Sequence, residues 1–404
     1  MASENTSGLS RKQISQLYRP VGPKYVTTVS ATTMGSAAQQ VQTVGNFDLS
    51  LPIKGFRLVF KGRHVIGTAD MTSTNPEGFL NMITNIVVQG TNSRQKGNVT
   101  LWNIDLATLW MVQAMFNGRA NQFMGAGTTA GVEVPLPTTP ITGSSVQNYA
   151  GKAQGTYDFE IVVDLPSYPF ECADLFKAGY LIRQEEWADS LTMALTFGYQ
   201  AGNGTANLGV SAATTTNTFT AYGSGSGSPT VDIYTLPVEM GLDLKDAVLP
   251  GFLTRVGQPI TTVLQSAGGL NTLLLNLQKQ PTARVFLKVG TSTVAPSFAT
   301  LSDTNVSTLG ILLGGQRVVR ANVDVFAHKN TICEEYPSNP GPIQGYNCLD
   351  FLQAQNPDSV YPGDKVGEGA TFGLYGTVAG VANAYGIVLQ EQALYLPTGP
   401  LYSF

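Results

Sequence analysis

The side chains of this chain that could carry out chemistry are few, and there are only two histidines, His64 and His328. A hydrolase needs a nucleophile beside a base, or paired carboxylates on neighbouring elements, and neither histidine lies in a GxSxG or HExxH pattern. Asp158, Glu160 and Asp164 would share one face of an extended strand. A carbohydrate-active β-sandwich places its acids in this way, but the outward face of any half-exposed strand gives the same pattern.

Patterns that would bind a cofactor or a metal are missing from the sequence. The chain contains no P-loop, GxGxxG or EF-hand pattern. Its three cysteines, Cys172, Cys333 and Cys348, lack CxxC spacing, so they indicate neither a zinc site nor a disulfide framework, although Cys333 and Cys348 could pair. We therefore expect no catalytic residue, no bound cofactor and no metal.

Tyrosines in predicted loops offer a second possible chemistry, the binding of sugars. Tyr168, Tyr180, Tyr222 and Tyr336 lie in such loops, where aromatic rings could stack on a carbohydrate, although scattered rings more often pack internally or against other subunits. A carbohydrate-binding or carbohydrate-active β-sandwich is therefore the alternative to a purely structural protein.

Charge is scarce in these 404 residues, since Asp, Glu, Lys and Arg make up only 12% and the formal net charge is −4. A protein that coats nucleic acid would show a basic stripe or tail, so no direct nucleic-acid role is expected. A surface with little charge can be buried between subunits at a low desolvation cost. The composition thus favours an obligate oligomer.

Short stretches of alternating apolar residues run through both halves of the chain and predict an all-β fold. Each stretch has one apolar face, as half-buried antiparallel strands have. The clearest stretches contain Phe56, Leu58 and Phe60; Phe159, Ile161 and Val163; Leu191, Met193, Leu195 and Phe197; Ala283, Val285, Leu287 and Val289; and Val319, Ala321, Val323, Val325 and Ala327.

Helices are expected to be short and to lie between the strands. A spacing of 3.6 residues predicts one helix from Ala107 to Met115, with Asn103 or Asp105 near its start. Two further short helices are predicted at Pro169–Ala178 and Asn347–Gln355.

Residues 1–40 are predicted to form an N-terminal arm that carries four basic residues, Arg11, Lys12, Arg19 and Lys24. The apolar spacing within it allows a short amphipathic helix from Ser10 to Arg19. The start of the chain lacks the apolar core of a signal peptide, so synthesis and folding in the cytoplasm are expected.

The remaining chain is predicted to form two similar domains, residues 41–240 and 241–404. Residues 200–229 are rich in Gly, Ala, Ser, Thr and Asn, and we interpret them as a long loop of the first domain because alternation resumes at Thr230 to Thr235. A strand, a helix-bearing loop and a second strand recur in each half, which suggests a duplication.

Several segments, taken in this order, resemble the major capsid proteins of tailless, internal-membrane-containing icosahedral bacteriophages. This family is the tectivirus-like, double jelly-roll lineage that includes adenovirus hexon. The resemblance is one of pattern over about residues 40–404, and it is carried by LPIKGFRLVF, GFLNMITNIVVQG, DFEIVVDLPSYPFECADLFKAGYLIRQEEWADSLTMALTFGY, SPTVDIYTLPVE and FGLYGTVAGVANAYGIVLQEQALYL.

The resemblance implies two eight-stranded jelly rolls in tandem and a structural role in the virion capsid, with synthesis in the host cytoplasm. Three chains would form a pseudo-hexagonal capsomer that tiles an icosahedral shell over an internal membrane. The implied partners are copies of the chain, penton proteins and minor membrane proteins. Arg11, Lys12, Arg19 and Lys24 would contact anionic lipid or a neighbouring subunit.

Overall fold

The computed structural model describes residues 18–31, 40–66, 73–74, 83–93, 97–109, 112, 123–127, 155–168, 180–187, 191–198, 204–205, 210–211, 217–241, 253–260, 270–291, 300–301, 306–314, 316–317, 323–324, 346–351, 361–362, 370–379 and 384–393. We refer to strands before residue 241 as the first half and to later strands as the second half.

The strands of the first half are β1 Tyr18–Pro20, β2 Lys24–Ser30, β3 Gln40–Val44, β4 Ile53–Ile66, β5 Ser73–Thr74, β6 Ile83–Asn92, β7 Gly97–Ile104, β8 Phe123–Gly127, β9 Gly155–Pro166, β10 Thr192–Phe197, β11 Gly204–Thr205, β12 Val210–Ser211, β13 Asn217–Thr220 and β14 Thr230–Met240. The helix α1 spans Gln184–Trp187.

The strands of the second half are β15 Leu253–Ile260, β16 Leu270–Asn276, β17 Pro281–Thr291, β18 Thr300–Leu301, β19 Val306–Leu313, β20 Gln316–Arg317, β21 Val323–Asp324, β22 Tyr346–Asp350, β23 Tyr361–Pro362, β24 Phe372–Ala379 and β25 Ala384–Ala393. The all-β class that the alternation predicts is therefore confirmed.

Two sheets of the first half enclose the main core. One runs in the order β1-β14-β4-β9-β8, with β2 also paired to β14, and the other contains β7-β6-β10-β3. Their inner faces supply the alternating apolar residues, such as Phe60 and Phe159 from the first sheet and Val88 and Leu195 from the second. The predicted period of two is correct here because one face of each strand is buried and the other is not.

Strands β4 and β9 pair without a break from Gly55 opposite Pro166 to Ile66 opposite Gly155. Gly55 has a φ of 138°, and a Cβ atom there would lie 2.0 Å from the carbonyl oxygen of Leu165. Only glycine fits this position, because both the conformation and the close approach of the neighbouring strand exclude a side chain.

The two halves share one sheet. Its order is β18-β17-β25-β15-β7-β6-β10-β3, so β15 of the second half lies beside β7 of the first. These two strands are parallel, with Arg255 opposite Trp102 and Val256 opposite Asn103. A separate five-stranded sheet of the second half has the order β16-β24-β19-β20, with β21 paired to β19.

The helices agree only partly with the sequence. A helical turn at 106–109 begins where the spacing predicts it, and the backbone N–H of Thr108 donates to the carboxylate of Asp105 at 3.0 Å, as in an N-cap. The helix predicted at Asn347–Gln355 is wrong over its first residues, because β22 pairs there with β17. Pairing with the edge of β17 stabilises this segment more than the helix that its weak pattern would give. The prediction for Pro169–Ala178 lies outside the described residues.

Part of the predicted arm is a pair of strands. Tyr18 and Arg19 belong to β1, so the helix predicted up to Arg19 is wrong at its end, and its earlier residues lie outside the described part. Both β1 and β2 pair with β14, and the N–H of Val21 between them donates to the carbonyl of Pro237 at 3.0 Å. Prolines 20 and 23 remove donors from this edge, which discourages pairing with a further strand.

Other predicted strands agree where the structure describes them. Strands β4, β9, β10, β14 and β17 contain the predicted alternating stretches, whereas of the stretch from Val319 to Ala327 only β21 is described. Strands β11, β12 and β13 lie within the glycine-rich segment that the sequence suggests is a loop.

Candidate functional site

The carboxylates that the sequence offers as catalytic candidates lie on the outer face of β9, and two of them are paired with arginines from β4. Arg63 holds Asp158 through its Nε and Nη2 atoms at 2.6 and 2.8 Å, and Arg57 holds Asp164 at 2.6 and 2.9 Å. The third acid, Glu160, lies opposite Lys61 in the strand register. We call the outward residues of β4, β9 and β14 the charged face.

These pairs suit a structural role better than acid–base chemistry. The hydrogen bond from Arg63 lowers the pKa of Asp158, with a further contribution from the N–H of Gly223. A general acid needs a carboxyl whose pKa is raised towards the working pH. Lys61 is bound in turn by Asp232 at 3.1 Å, so the charged face is a ladder of paired charges.

Two of the four basic residues predicted to make contacts are described. Lys24 forms an ion pair with Asp48, and this hydrogen bond holds the pKa of Asp48 well below its usual range. Arg19 lies opposite Glu239 on β14 and is exposed. Arg11 and Lys12 lie outside the described residues.

The three loop tyrosines that the structure describes do not form one binding platform. Tyr180 is buried and packs with Leu253 of the second half, and Tyr168 packs against the same cluster. Tyr222 is 50% exposed, and Tyr336 lies outside the described residues. Two of the predicted sugar-binding tyrosines therefore lie where the two halves meet.

A buried polar joint connects the halves, and Arg255 on β15 lies at its centre. The Arg255 side chain is 1% exposed and donates through Nε to Glu391 at 2.6 Å. Its Nη1 and Nη2 atoms donate to the carbonyls of Pro166 and Tyr168 in the first half, both at 2.8 Å. The guanidinium also lies 4.2 Å from the ring centroid of Trp102, a cation–π contact.

Glu391 continues the joint into the second half. Its other oxygen accepts a hydrogen bond from Arg284 at 3.3 Å, and Arg284 is 3.1 Å from Asp350. Two positive and two negative side chains thus alternate, all nearly excluded from solvent. A buried charge is tolerated only when it is paired in this way.

A second ion pair crosses between the halves near the same sheet. Lys288 of β17 donates to Asp105 at 2.8 Å, and both side chains are buried. Burial alone would raise the pKa of Asp105, but Lys288 and Thr108 overcome that effect and lower it. Asp105 therefore caps the helical turn of the first half and binds the second half at the same time.

The opposite face of β25 carries a buried network of amides and hydroxyls. Gln390 donates to the carbonyl of Gln278 and to the hydroxyl of Thr282, both at 2.9 Å, and accepts from the N–H of Gln278 at 2.9 Å. Gln392 binds Thr254 and the Gln278 side chain. From Gln390 to Gln392 both faces of this strand are thus polar and buried, which fixes its neighbours in one register.

The sequence reasoning missed the joint because it treats the residues between the apolar positions of a strand as solvent-facing. In β17, Arg284 and Lys288 alternate with buried Ala283, Val285, Leu287 and Val289, yet both charges are buried as well. Basic residues within an otherwise apolar strand were the available signal, since a strand buried on both faces needs an internal partner for each charge.

Other chemistry is not seen in the described part of the chain. Cys348 is a buried free thiol whose pKa is raised by burial, and Cys333, its possible disulfide partner, lies outside the described residues. The described residues contain no group of three or more His, Cys, Asp or Glu side chains that could hold a metal. They also contain no helix with the length and apolar character needed to cross a membrane.

The fold defined by these sheets is that of viral major capsid proteins, and several solved structures share it. The MCP of STIV is 13% identical, with 93% of this chain and 96% of that chain covered and a TM-score of 0.56. The atomic structure of Sulfolobus turreted icosahedral virus gives 12% identity, 94% and 90% coverage and a TM-score of 0.55.

A chain of the PBCV-1 virus capsid is also similar, at 11% identity, 94% and 97% coverage and a TM-score of 0.53. Neither a protein-family model nor a curated protein sequence matches the chain. The double jelly-roll fold that the sequence resembles is thereby confirmed at the level of fold.

Proposed function

We propose that this chain is a major capsid protein whose copies assemble into the shell of an icosahedral virus. The observation that carries the proposal is a fold match to the STIV MCP that covers nearly the whole of both chains. A fold alone does not define a function. The ion pairs within the chain give a second line of support. Two of the three catalytic candidates, Asp158 and Asp164, are paired with arginines of the neighbouring strand, and the joint connects the two β-halves.

Two halves that keep one fixed arrangement suit a subunit of a closed shell. We propose that residues 41–240 and 241–404 each form one jelly roll, and that three chains give a six-sided capsomer because each contributes two similar units. Such a capsomer needs a constant angle between the two units. Arg255 and the Lys288–Asp105 pair, which join the halves through buried bonds, support a constant angle.

The remaining partners are proposals that rest on this function. Arg11, Lys12, Arg19 and Lys24 would contact an internal membrane or a neighbouring subunit of a bacteriophage virion, alongside penton and minor membrane proteins. Of the two described residues, exposed Arg19 is the better candidate, because Lys24 is held by Asp48. Synthesis in the host cytoplasm belongs to the same proposal.

The carbohydrate alternative loses its main support, because Arg63 and Arg57 occupy two of its three carboxylates. The test of the capsid function is direct. Sedimentation of the purified chain should give a species of three chain masses, and negative-stain electron microscopy should show six-sided particles or sheets of them. A single-chain mass at every concentration, together with no such particles, would contradict the proposal.

A further inference from the structure

The two outer faces of the first half differ sharply in charge. The charged face includes three bases and four acids on three adjacent strands, namely Arg57, Lys61, Arg63, Asp158, Glu160, Asp164 and Asp232. Its charges are largely paired within the chain, as the bidentate bonds of Arg57 and Arg63 demonstrate.

The outer face of the other sheet has no charged side chain among its described strand residues on β3, β10, β6 and the adjoining end of β7. Strand pairing aligns its outward residues in rows, and their side chains are partly or fully exposed while the alternate residues on β10 and β6 are buried. We call these nine residues the uncharged face: Val41, Thr43, Asn85, Val87, Gln89, Asn103, Thr192, Ala194 and Thr196.

The uncharged face is suited to being covered. Its side chains are small or neutral, and the Thr192 hydroxyl already donates to the carbonyl of Gln89 at 3.3 Å. Covering such a face removes no ion from water, whereas covering an unpaired charge costs several kcal/mol. At its edge, Val41 on β3 is 59% exposed, more than any other large hydrophobic side chain in the described part of the chain.

We propose that the uncharged face is a contact surface for a second copy of this chain, an inference that rests on the proposed function. Charge favours a second copy over a partner with charged groups. Every copy carries a net charge of −4, so two copies repel each other weakly overall, and a contact without charges adds nothing to that repulsion. Contact through the uncharged face brings no like charges together. The face also has no charged side chain that the contact would bury without a partner.

The face is the size of an interface centre. Four strands about 4.8 Å apart, with at most three outward residues on each of them, span roughly 14 by 13 Å. A stable interface buries about 800 Å² on each partner, so surrounding loops would add to the contact. The centre is where a single substitution has its largest effect on binding.

The test compares two valines at equivalent places on the two faces. Val87 is partly exposed at the middle of β6, and Val162 is partly exposed at the middle of β9, on the charged face. The variants Val87→Lys, Val87→Glu and Val162→Lys are each purified and measured by sedimentation across a concentration series, with circular dichroism and thermal unfolding to verify the fold.

Val87→Lys and Val87→Glu should both weaken self-association about tenfold or more, because either sign of charge is left unpaired in the contact. Val162→Lys should assemble as the wild type does. The inference is overturned if both folded Val87 variants assemble like the wild type, or if one charge weakens assembly and the other strengthens it. A wild-type chain that never self-associates would instead refute the proposed function itself.

Discussion

Replacement of Arg255 with methionine is the perturbation that tests the joint most directly. Removal of one partner from a buried ion pair costs about 3–5 kcal/mol. After the substitution Glu391 still accepts a hydrogen bond from Arg284 at 3.3 Å, so the cost of leaving Glu391 without Arg255 should lie near the lower end of that range. The carbonyls of Pro166 and Tyr168 each lose a charged donor at 2.8 Å, for about 1 kcal/mol apiece. We therefore expect a loss of about 4–5 kcal/mol in the free energy of unfolding.

Arg57→Met is the matched control. In both pairs the arginine Nε lies 2.6 Å from a carboxylate oxygen, but the Arg57 and Asp164 side chains are 30% and 15% exposed, against 1% and 0% for Arg255 and Glu391. Water can reach Asp164 after the substitution, so the expected loss is only about 1 kcal/mol. Burial is the main variable that separates the two substitutions.

Equilibrium unfolding in guanidinium chloride measures both losses, with tryptophan fluorescence as the signal because Trp102 lies directly against Arg255. The double variant Arg255→Met with Glu391→Gln should recover about half of the loss, since it leaves no carboxylate without its second base. If Arg255→Met costs no more than Arg57→Met, the joint does not hold the halves together as described.

Two further predictions concern the same region. Gly257→Ala should lower stability by about 1–3 kcal/mol, because its Cβ would lie 2.8 Å from the carbonyl oxygen of Asn103 on the adjoining strand; hydrogen exchange should quicken at β15 and β7 before β4, and equal protection of all three would contradict this. The folded-state pKa of Asp105 is lowered, so its pairing with Lys288 contributes stability above the unfolded pKa of about 3.9 and loses it as the pH falls through the folded value. Asp105→Asn should therefore flatten the acid side of the stability profile below the unfolded pKa of about 3.9, and a profile of unchanged slope there would refute that contribution.

The sequence predicts the strands well and the joint poorly, for a physical reason. Alternation in β4 or β10 reflects burial on one side, which is a local property that neighbouring residues record. Arg255 reaches the Pro166 carbonyl 89 residues away, and no local period records a contact of that kind. The helix prediction for the segment after Asn347 is wrong for a related reason. This segment pairs with the edge of β17, a strand that is distant in sequence.

Contacts between distant residues also hold many of the charged side chains in the described part of the chain. Most of the ion pairs described join strands that are far apart in sequence, either across the charged face or within the joint, so these charges stabilise one chain rather than a contact between chains. A face without charge then remains available for other copies. Because a paired charge inside the chain contributes little to attraction outside it, contact between copies would depend on shape and on neutral side chains, and salt should weaken it little.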